Sequence, residues 1–266
     1  MNGLRAESFS FYRDEIIGNW DHYHDFYSVN LKNERDIIVW LPPSYNTSYK
    51  NYPVLYVHDG QNLFNPQTAF IGVDWRIDET VTALIQKKKI REVIVVGIYN
   101  TKDRLEEYNF FTFKGKQYAN FLVRELKSFI DENYRTIKNR ENTMVMGSSL
   151  GGLISFQLIW YMNNIFGAAA CLSSSFWIDN KKMINEVTPE SKPNLPIKIY
   201  LDCGSEEKEL IDDNKLMMKK LKEVGFIESK DLMTHIEKNG RHTESDWAKR
   251  LNIPLEFILR KSNVFL

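Results

Sequence analysis

The feature that most constrains the fold of this chain is an apolar run that passes through a cluster of small residues into a second apolar run, over residues 142–161. Residues 142–147 (NTMVMG) have the length and composition of a buried strand, and the residues after 152 stay apolar over several helical turns. Between them, residues 147–151 (GSSLG) leave room only for a sharp turn. A buried strand that turns directly into a buried helix is typical of α/β proteins.

The rest of the chain alternates short β-type runs with helical patterns, which predicts a predominantly parallel sheet with helices on both faces. Two runs joined by a short polar stretch, 25–31 and 35–41, predict an N-terminal antiparallel hairpin at one edge of the sheet. The remaining strands are predicted at 53–58, 92–98, 142–147, 167–173, 196–204 and 230–237. Helices are predicted at 75–88, 116–132, about 150–161, 207–224 and 243–258. We therefore expect one eight-stranded α/β domain over residues 1–266.

Composition excludes several classes of function. Lys+Arg and Asp+Glu balance at 35 each, so no overall field attracts nucleic acid or an anionic membrane. No run approaches 18 apolar residues, and the N-terminus lacks the apolar stretch of a secretory signal. The two cysteines, Cys171 and Cys203, cannot form a disulfide framework. We expect a cytoplasmic protein that binds neither membrane nor nucleic acid.

The turn at residues 147–151 has the G-x-S-x-G pattern of a nucleophile held on a strained strand-to-helix turn. This geometry projects the Ser149 hydroxyl above the sheet edge and places the Leu150 N–H beside a developing oxyanion. A Gly/Ser-rich helix start is the structural alternative, but the flanking apolar strand and helix favour the nucleophile. The loop after the first parallel strand contains Gly60, and the backbone N–H of Gln61 is the candidate second oxyanion donor.

A serine nucleophile needs a histidine base and an orienting acid, which follow the serine in this fold class in the order acid, then histidine. His22, His24 and His58 precede the serine, and His235 falls inside a strand pattern. His242 lies in the loop between the last strand and the last helix, so it is the predicted base. The acid is expected in the turn after residues 196–204, where Glu207 is the first choice and Glu206 the second; charge at a helix start is the competing explanation for either.

Six motifs span roughly residues 25–250: WLPPSY (40–45), YPVLYVHDGQNLF (52–64), GSSLGG (147–152), LSSSFW (172–177), CGSEE (203–207) and GRH (240–242). Together they resemble one esterase family of α/β-hydrolases, which includes enterochelin-esterase-like hydrolases and carbohydrate esterases of the feruloyl and acetyl-xylan type. The resemblance implies an α/β-hydrolase fold without metal or organic cofactor and a triad of Ser149, His242 and an acid at Glu207. Relatives often carry Asp at the acid position, so the Glu is a departure.

The resemblance also suggests residues that border the site. Arg104 and Glu107 are candidates to orient substrate, with an ion pair that braces the fold as the alternative. Trp75, Phe176 and Trp177 are candidates for an aromatic wall, with core packing as the alternative. The segment 21–25 (DHYHD) looks like a metal cluster, but polar groups that alternate along an extended segment usually face solvent, so no metal site is expected.

The function predicted from the sequence is hydrolysis of a carboxylic ester through an acyl-enzyme, with an acetylated or feruloylated carbohydrate as the expected substrate. A cyclic siderophore trilactone is the alternative ester, and an acyltransferase would use the same triad. A catalytically silent binding module on this scaffold is the non-enzymatic alternative. The expected partner is a small-molecule or oligosaccharide ester, and a homo-oligomer is compatible with the sequence.

Overall fold

A computed structural model of the chain describes residues 7–8 and 16–260. Within this part of the chain, the strands form one nine-stranded sheet in the order β1-β2-β3-β5-β4-β6-β7-β8-β9. The strands are β1 Glu7–Ser8, β2 Asn19–Ser28, β3 Asn33–Leu41, β4 Val54–His58, β5 Ile94–Ile98, β6 Thr143–Ser148, β7 Ala168–Leu172, β8 Lys198–Gly204 and β9 Leu232–Glu237. Strands β1, β2 and β3 are antiparallel, β3 also runs antiparallel to β5, and the others are parallel.

The helices connect the parallel strands. They are α1 Ile77–Gln86, α2 Arg104–Glu107, α3 Phe113–Asn120, α4 Lys127–Asn133, α5 Leu150–Tyr161, α6 Ile178–Glu186, α7 Ile211–Glu223, α8 Glu244–Arg250 and α9 Asn252–Ile258. A π-helical segment, Phe121–Leu126, joins α3 to α4. No helix within residues 16–260 is long and apolar enough to span a membrane.

Two hydrophobic cores lie on opposite faces of the sheet, because alternate residues of a strand point to opposite sides. On β6, Val145 belongs to one core, while Met144 and Met146 belong to the other. The first core is completed by residues of α3 to α7, and the second by residues of α1, α8 and α9. The predicted α/β-hydrolase fold, with helices on both faces and an antiparallel hairpin at the edge, is confirmed.

The structure corrects the extent of the hairpin. The first strand was predicted at 25–31, but β2 begins at Asn19 and ends at Ser28. A β-bulge between Tyr23 and Phe26 shifts its register, which interrupts the alternation on which the prediction depended. The two-residue strand β1 pairs with β2 and makes the sheet nine-stranded rather than eight-stranded.

The topology gathers the loops that carry candidate site residues at one edge of the sheet. Strands β4 to β9 run parallel, so their carboxyl ends lie side by side. The segments 59–62, 149–151, 173–177, 205–210 and 238–243 all follow these ends. Ligands of open α/β sheets bind at this edge.

Candidate active site

Ser149 occupies a strained turn between β6 and α5, with φ 58° and ψ −121°. Such a conformation is costly for a residue with a side chain and persists only where its surroundings fix it. The Ser149 N–H donates to the Leu172 carbonyl at 2.9 Å, and the Ser149 carbonyl accepts from the Ser175 N–H at 3.0 Å. A Cβ on Gly147 would lie 2.6 Å from the Gly151 carbonyl carbon, so this turn requires glycine there.

The Ser149 hydroxyl opens onto two cavities of about 690 and 770 Å³, and both are also lined by His242. Within the described part of the chain, the hydroxyl forms its hydrogen bond with Ser175 Oγ, at 3.2 Å, rather than with His242. Catalytic hydrogen bonds are often long or misaligned without substrate. The arrangement therefore places a serine and a histidine on a shared cleft without the direct bond between them.

His242 lies in the loop before α8, where it contacts Glu207. Its Nδ1 is 3.2 Å from Glu207 Oε2, and its ring packs edge-on against Trp247 with ring centroids 4.9 Å apart. The His242 side chain is 35% exposed while that of Glu207 is 1% exposed, so the imidazole reaches the cleft and the acid holds it from below. Glu206, the alternative acid, is solvent-exposed, and the described hydrogen bonds of His242 do not include it.

Glu207 is kept ionised by the groups around it. Burial alone would raise its pKa, but hydrogen bonds from His242, Ser173 and the Gly204 N–H outweigh burial and hold the pKa below its usual value. The Ser173 hydroxyl donates to Oε1 at 2.7 Å, and the Gly204 N–H donates to the same oxygen at 2.8 Å. A carboxylate at this position can orient the imidazole and stabilise its protonated form.

A buried polar network supports Glu207 from behind. The Ser173 hydroxyl accepts from Trp247 Nε1 at 2.9 Å and from Arg250 Nη2 at 3.0 Å. Arg250 is held in turn by Asp202 through two hydrogen bonds, of 2.8 and 3.1 Å. The position of the acid is therefore fixed by groups from β8, the loop after β7, and α8.

The loop after β4 is a second tightly specified segment. A Cβ on Gly60 would lie 2.6 Å from the Gly97 carbonyl carbon, so the loop packs directly against β5. Asp59 adopts a left-handed conformation and accepts from Arg104 Nε and Nη2 at 2.7 Å each. Burial would lower the pKa of Arg104, but Asp59 raises it above its ordinary value. Gln61 lies two residues after this aspartate and lines the cavity of about 690 Å³ beside Ser149.

Leu150 is the first residue of α5, so its N–H has no acceptor within the helix. A free N–H at a helix start, directly after the serine, is the position that an oxyanion donor requires. The candidate oxyanion residues Leu150 and Gln61 thus come from the two tightly packed turns, after β6 and after β4.

Three residues proposed as substrate contacts are buried away from the cleft, which corrects their predicted role. Glu107 is fully buried and forms an ion pair with Arg35 at 2.9 Å, not with Arg104. Phe176 packs in the core, edge-on to Phe156. Trp75 is 1% exposed and packs against Trp247. Glu107 therefore braces the fold through its ion pair, and Phe176 and Trp75 pack in the interior.

Trp177 and Arg104 do border the cleft. Trp177 is 51% exposed and lines one cavity, and Arg104 lines the other although its guanidinium is held by Asp59.

The sequence did not single out several residues that the structure places in or behind the cleft. Ser175 contacts the nucleophile candidate and Ser173 contacts the acid candidate. Both follow the carboxyl end of β7, at the edge where sites of this fold class lie, and that position was the available signal. Further cleft residues missed from the sequence are Asn62, Thr68, Phe70, Ile71 and Glu244.

Two histidines that the sequence argues against as the base, His58 and His235, lie in other surroundings. His58 is fully buried beside Tyr118, and burial lowers its pKa to about 3. His235 lies on the edge strand β9 and pairs with Glu237 at 2.8 Å.

Comparison with known proteins identifies the family of the chain. The family described as "Putative esterase" matches residues 28–257. The uncharacterized protein YbbA of Bacillus subtilis is 27% identical over 255 residues, which cover 88% of this chain and 96% of YbbA. An endo-1,4-beta-xylanase/feruloyl esterase of Xylanibacter ruminicola is 25% identical over 208 residues, which cover 76% of this chain and 27% of that protein.

Similarity to solved structures supports the fold. The crystal structure of the enterobactin esterase FES of Shigella flexneri matches with a TM-score of 0.73 at 16% identity, over 90% of this chain and 59% of that one. The family match covers most of the chain, from the end of the first hairpin strand to the last helix. The chain therefore belongs to the putative esterase family, and it is a carboxylic ester hydrolase.

Proposed function

We propose that this esterase works through a triad of Ser149, His242 and Glu207, forms an acyl-enzyme, and acts on acetylated or feruloylated carbohydrate. The observation that carries the triad is the bond from His242 Nδ1 to the buried Glu207, at 3.2 Å, in a cleft that also exposes Ser149. Nucleophilic acyl transfer needs a hydroxyl, an imidazole that can take its proton and a carboxylate that orients the imidazole, and Ser149, His242 and Glu207 offer these three groups.

In the first half-reaction, the Ser149 hydroxyl leaves its hydrogen bond with Ser175 and turns toward His242 Nε2. His242 takes the hydroxyl proton as Ser149 Oγ attacks the ester carbonyl, and Glu207 stabilises the imidazolium through Nδ1–H. The N–H groups of Gln61 and Leu150 stabilise the tetrahedral oxyanion; a single such donor contributes about 3 kcal/mol. His242 then protonates the departing alcohol, which leaves the acyl group on Ser149.

In the second half-reaction, water takes the place of the alcohol. His242 removes a proton from the water as its oxygen attacks the acyl carbon, and the collapse of the second tetrahedral intermediate returns the proton to Ser149 Oγ. The products are a carboxylic acid and the free enzyme. An acyltransferase would differ only in this step, with a sugar alcohol in place of water.

The charge of the cleft favours a neutral substrate. Among the described residues that line its two cavities, Glu206, Glu209 and Glu244 carry negative charge in addition to Glu207. The cations there are Lys208 and Arg104, and the Arg104 guanidinium is already paired with Asp59. A catecholate siderophore bound to iron is a polyanion, which this excess of carboxylates repels.

The apolar groups of the cleft suit an acyl or aryl ester. Phe70 is 84% exposed and Trp177 51% exposed, and each lines one of the two cavities that meet at Ser149. Exposed aromatic side chains beside polar groups are typical surfaces for sugar rings and for aryl groups. The similarity to a protein named a feruloyl esterase supports this substrate class. The fold shared with an enterobactin esterase keeps the trilactone as the second candidate.

The nucleophile is tested by substitution. Ser149→Ala is expected to lower the turnover of p-nitrophenyl acetate by about 10⁴-fold or more and to abolish labelling by a fluorophosphonate probe. Ser148→Ala, in the same turn, serves as the control and should still be labelled. Unchanged turnover in Ser149→Ala would exclude this serine as the nucleophile.

The substrate class is tested separately. We expect the wild-type enzyme to hydrolyse acetyl or feruloyl esters of xylo-oligosaccharides faster than a catecholate trilactone, with and without iron, when all are compared side by side. A clear preference for the trilactone would reverse the assignment. Product analysis with a sugar acceptor present distinguishes hydrolysis from acyl transfer.

A further inference from the structure

The β2–β3 hairpin brings two histidines and an aspartate together, far from the esterase loops in the sequence. His22 Nε2 lies 2.8 Å from Asp36 Oδ2, and His24 Nδ1 lies 3.0 Å from the same oxygen. The two imidazole rings are 3.8 Å apart, centroid to centroid. One ligand atom from each of the three residues lies within 4.8 Å of the other two.

A β-bulge creates this convergence. Tyr23 pairs with Ile37 and Phe26 pairs with Arg35, so two residues of β2 face the single residue Asp36 of β3. One of the two, Asp25, has φ 52° and donates its backbone N–H to Asp36 Oδ1 at 3.1 Å. The carboxylate is therefore oriented on one oxygen by the backbone, while its other oxygen faces both histidines.

The bulge also explains why the sequence pattern was misleading. Tyr23 and Phe26 are both buried although they are three residues apart, which a regular strand does not allow. The extra residue restores Phe26 to the buried face, while His22 and His24 stay together on the other face. The segment 21–25 is thus not a row of separate solvent-facing groups, because a third group from β3 meets its two histidines.

We propose that His22, His24 and Asp36 bind a Zn²⁺ ion. Two imidazole nitrogens and one carboxylate oxygen form a ligand set that Zn²⁺ commonly uses, with water in the fourth position. Tetrahedral bonds of about 2.0–2.1 Å place neighbouring ligand atoms about 3.3 Å apart, and two of the three separations here are already close to that value. The Asp25 N–H supplies the kind of outer hydrogen bond that orients a ligating carboxylate.

The site is accessible from solvent. The side chain of His24 is 50% exposed and that of Asp36 is 25% exposed, whereas His22 is 14% exposed. An ion can therefore enter from the His24 side with little movement of the hairpin. Because the ligands belong to two neighbouring strands, the bound ion links β2 to β3 and stabilises the hairpin in the folded state.

The test uses untagged, chelator-treated full-length enzyme. Zn²⁺ binding is measured by competition with a chromophoric chelator, and Co²⁺ is added separately to record its visible absorption. We expect one Zn²⁺ per chain, a Co²⁺ band of tetrahedral intensity, and a melting temperature that rises with added Zn²⁺. Mg²⁺ and Ca²⁺ at the same concentrations should compete at least about 100-fold less well, because imidazole ligands disfavour them.

Variants locate the site. His24→Ala and Asp36→Asn should each weaken Zn²⁺ binding by at least about tenfold and remove the Co²⁺ band. His235→Ala is the matched control, since His235 also pairs with a carboxylate at the protein surface but has no third ligand group among the described residues. Circular dichroism of each variant without metal confirms that it is folded.

Zinc binding that persists unchanged in both His24→Ala and Asp36→Asn would overturn the proposal, as would the absence of stoichiometric binding to the wild type. If His235→Ala weakened Zn²⁺ binding as much as His24→Ala and Asp36→Asn do, the proposal would also fail. That result would indicate that Zn²⁺ binds to surface histidines in general. The result does not depend on the esterase triad, none of whose members lies on the hairpin.

Discussion

Two adjacent glutamates, Glu206 and Glu207, differ in almost every physical respect. Glu207 is buried and accepts hydrogen bonds from Ser173, the Gly204 N–H and His242, whereas Glu206 is exposed to solvent. In the proposed triad, Glu207 therefore holds the imidazole in the tautomer that leaves Nε2 free to act as a base.

Glu207→Gln should therefore lower kcat by about 10³-fold or more, because an amide cannot stabilise the imidazolium as a carboxylate does. Glu206→Gln, the neighbouring control, should leave kcat within about twofold, the change typical of an exposed substitution. Steady-state kinetics with p-nitrophenyl acetate measure both. If the two variants lose activity equally, the assignment of the acid to Glu207 fails.

At the residue scale, the sequence was informative about chain position and uninformative about side-chain direction. Ser149 and His242 could be proposed because each follows a strand at the edge where such sites form. Burial of Phe176 and exposure of the adjacent Trp177 could not be predicted, since both depend on how the loop after β7 packs against α5. The same limit left Glu206 and Glu207 unresolved.

The first turn of α1 carries a buried carboxylate. Asp78 is 1% exposed and accepts a hydrogen bond from the Ile17 N–H. Burial and the neighbouring Glu79 carboxyl raise its pKa to about 8, because the hydrogen bond from Ile17 offsets only part of their effect. In the unfolded chain the group ionises near its ordinary value of 3.8. The free energy of unfolding therefore falls as the pH rises from about 4 to 8. The stabilising contribution of protonated Asp78 is complete only below that range.

Asp78→Asn removes this proton linkage and should stabilise the protein more at pH 8 than at pH 5, by a difference on the order of 2 kcal/mol. Asp212→Asn is the control, because Asp212 also lies in the first turn of a helix, α7, but is exposed. Chemical unfolding at both pH values measures the difference. An equal effect of Asp78→Asn at pH 5 and pH 8 would show that Asp78 is ionised in the folded state.

At the element scale, the type of most strands and helices was predictable, but helices α2 and α6 were not, and neither were the boundaries and the strand order. The parallel strands β4 to β9 could be predicted because they are short apolar runs between helical patterns. The placement of β5 between β3 and β4 depends on long-range pairing that no local pattern encodes. The start of β2 was missed because the bulge at Asp25 breaks the period-two pattern.

At the scale of the whole molecule, a buried ion pair connects the sheet to the C-terminal helices. Asp202 on β8 and Arg250 at the end of α8 have side chains that are 0% and 2% exposed. Arg250 also donates to Ser173, which donates to Glu207. The contact that attaches α8 to the sheet is therefore also the one that fixes the acid of the proposed triad.

Arg250→Met should reduce the free energy of unfolding by about 3–5 kcal/mol, because it leaves the Asp202 carboxylate buried without its partner. Lys219→Ala is the control: Lys219 and its partner Glu223 are 72% and 57% exposed, and loss of that pair should change stability by less than about 0.5 kcal/mol. Unfolding by urea measures both. Asp202→Asn combined with Arg250→Met should cost less than the sum of the two single variants, since the double variant removes both charges.

The same substitution should also affect catalysis. Without Arg250, the Ser173 hydroxyl loses one of the two donors that hold it toward Glu207, so we expect kcat of Arg250→Met to fall with little change in KM. Lys219→Ala should change neither constant. If Arg250→Met lost stability and kept the wild-type kcat, then Trp247 alone would suffice to position Ser173, and the link between the C-terminal helices and the active site would be structural only.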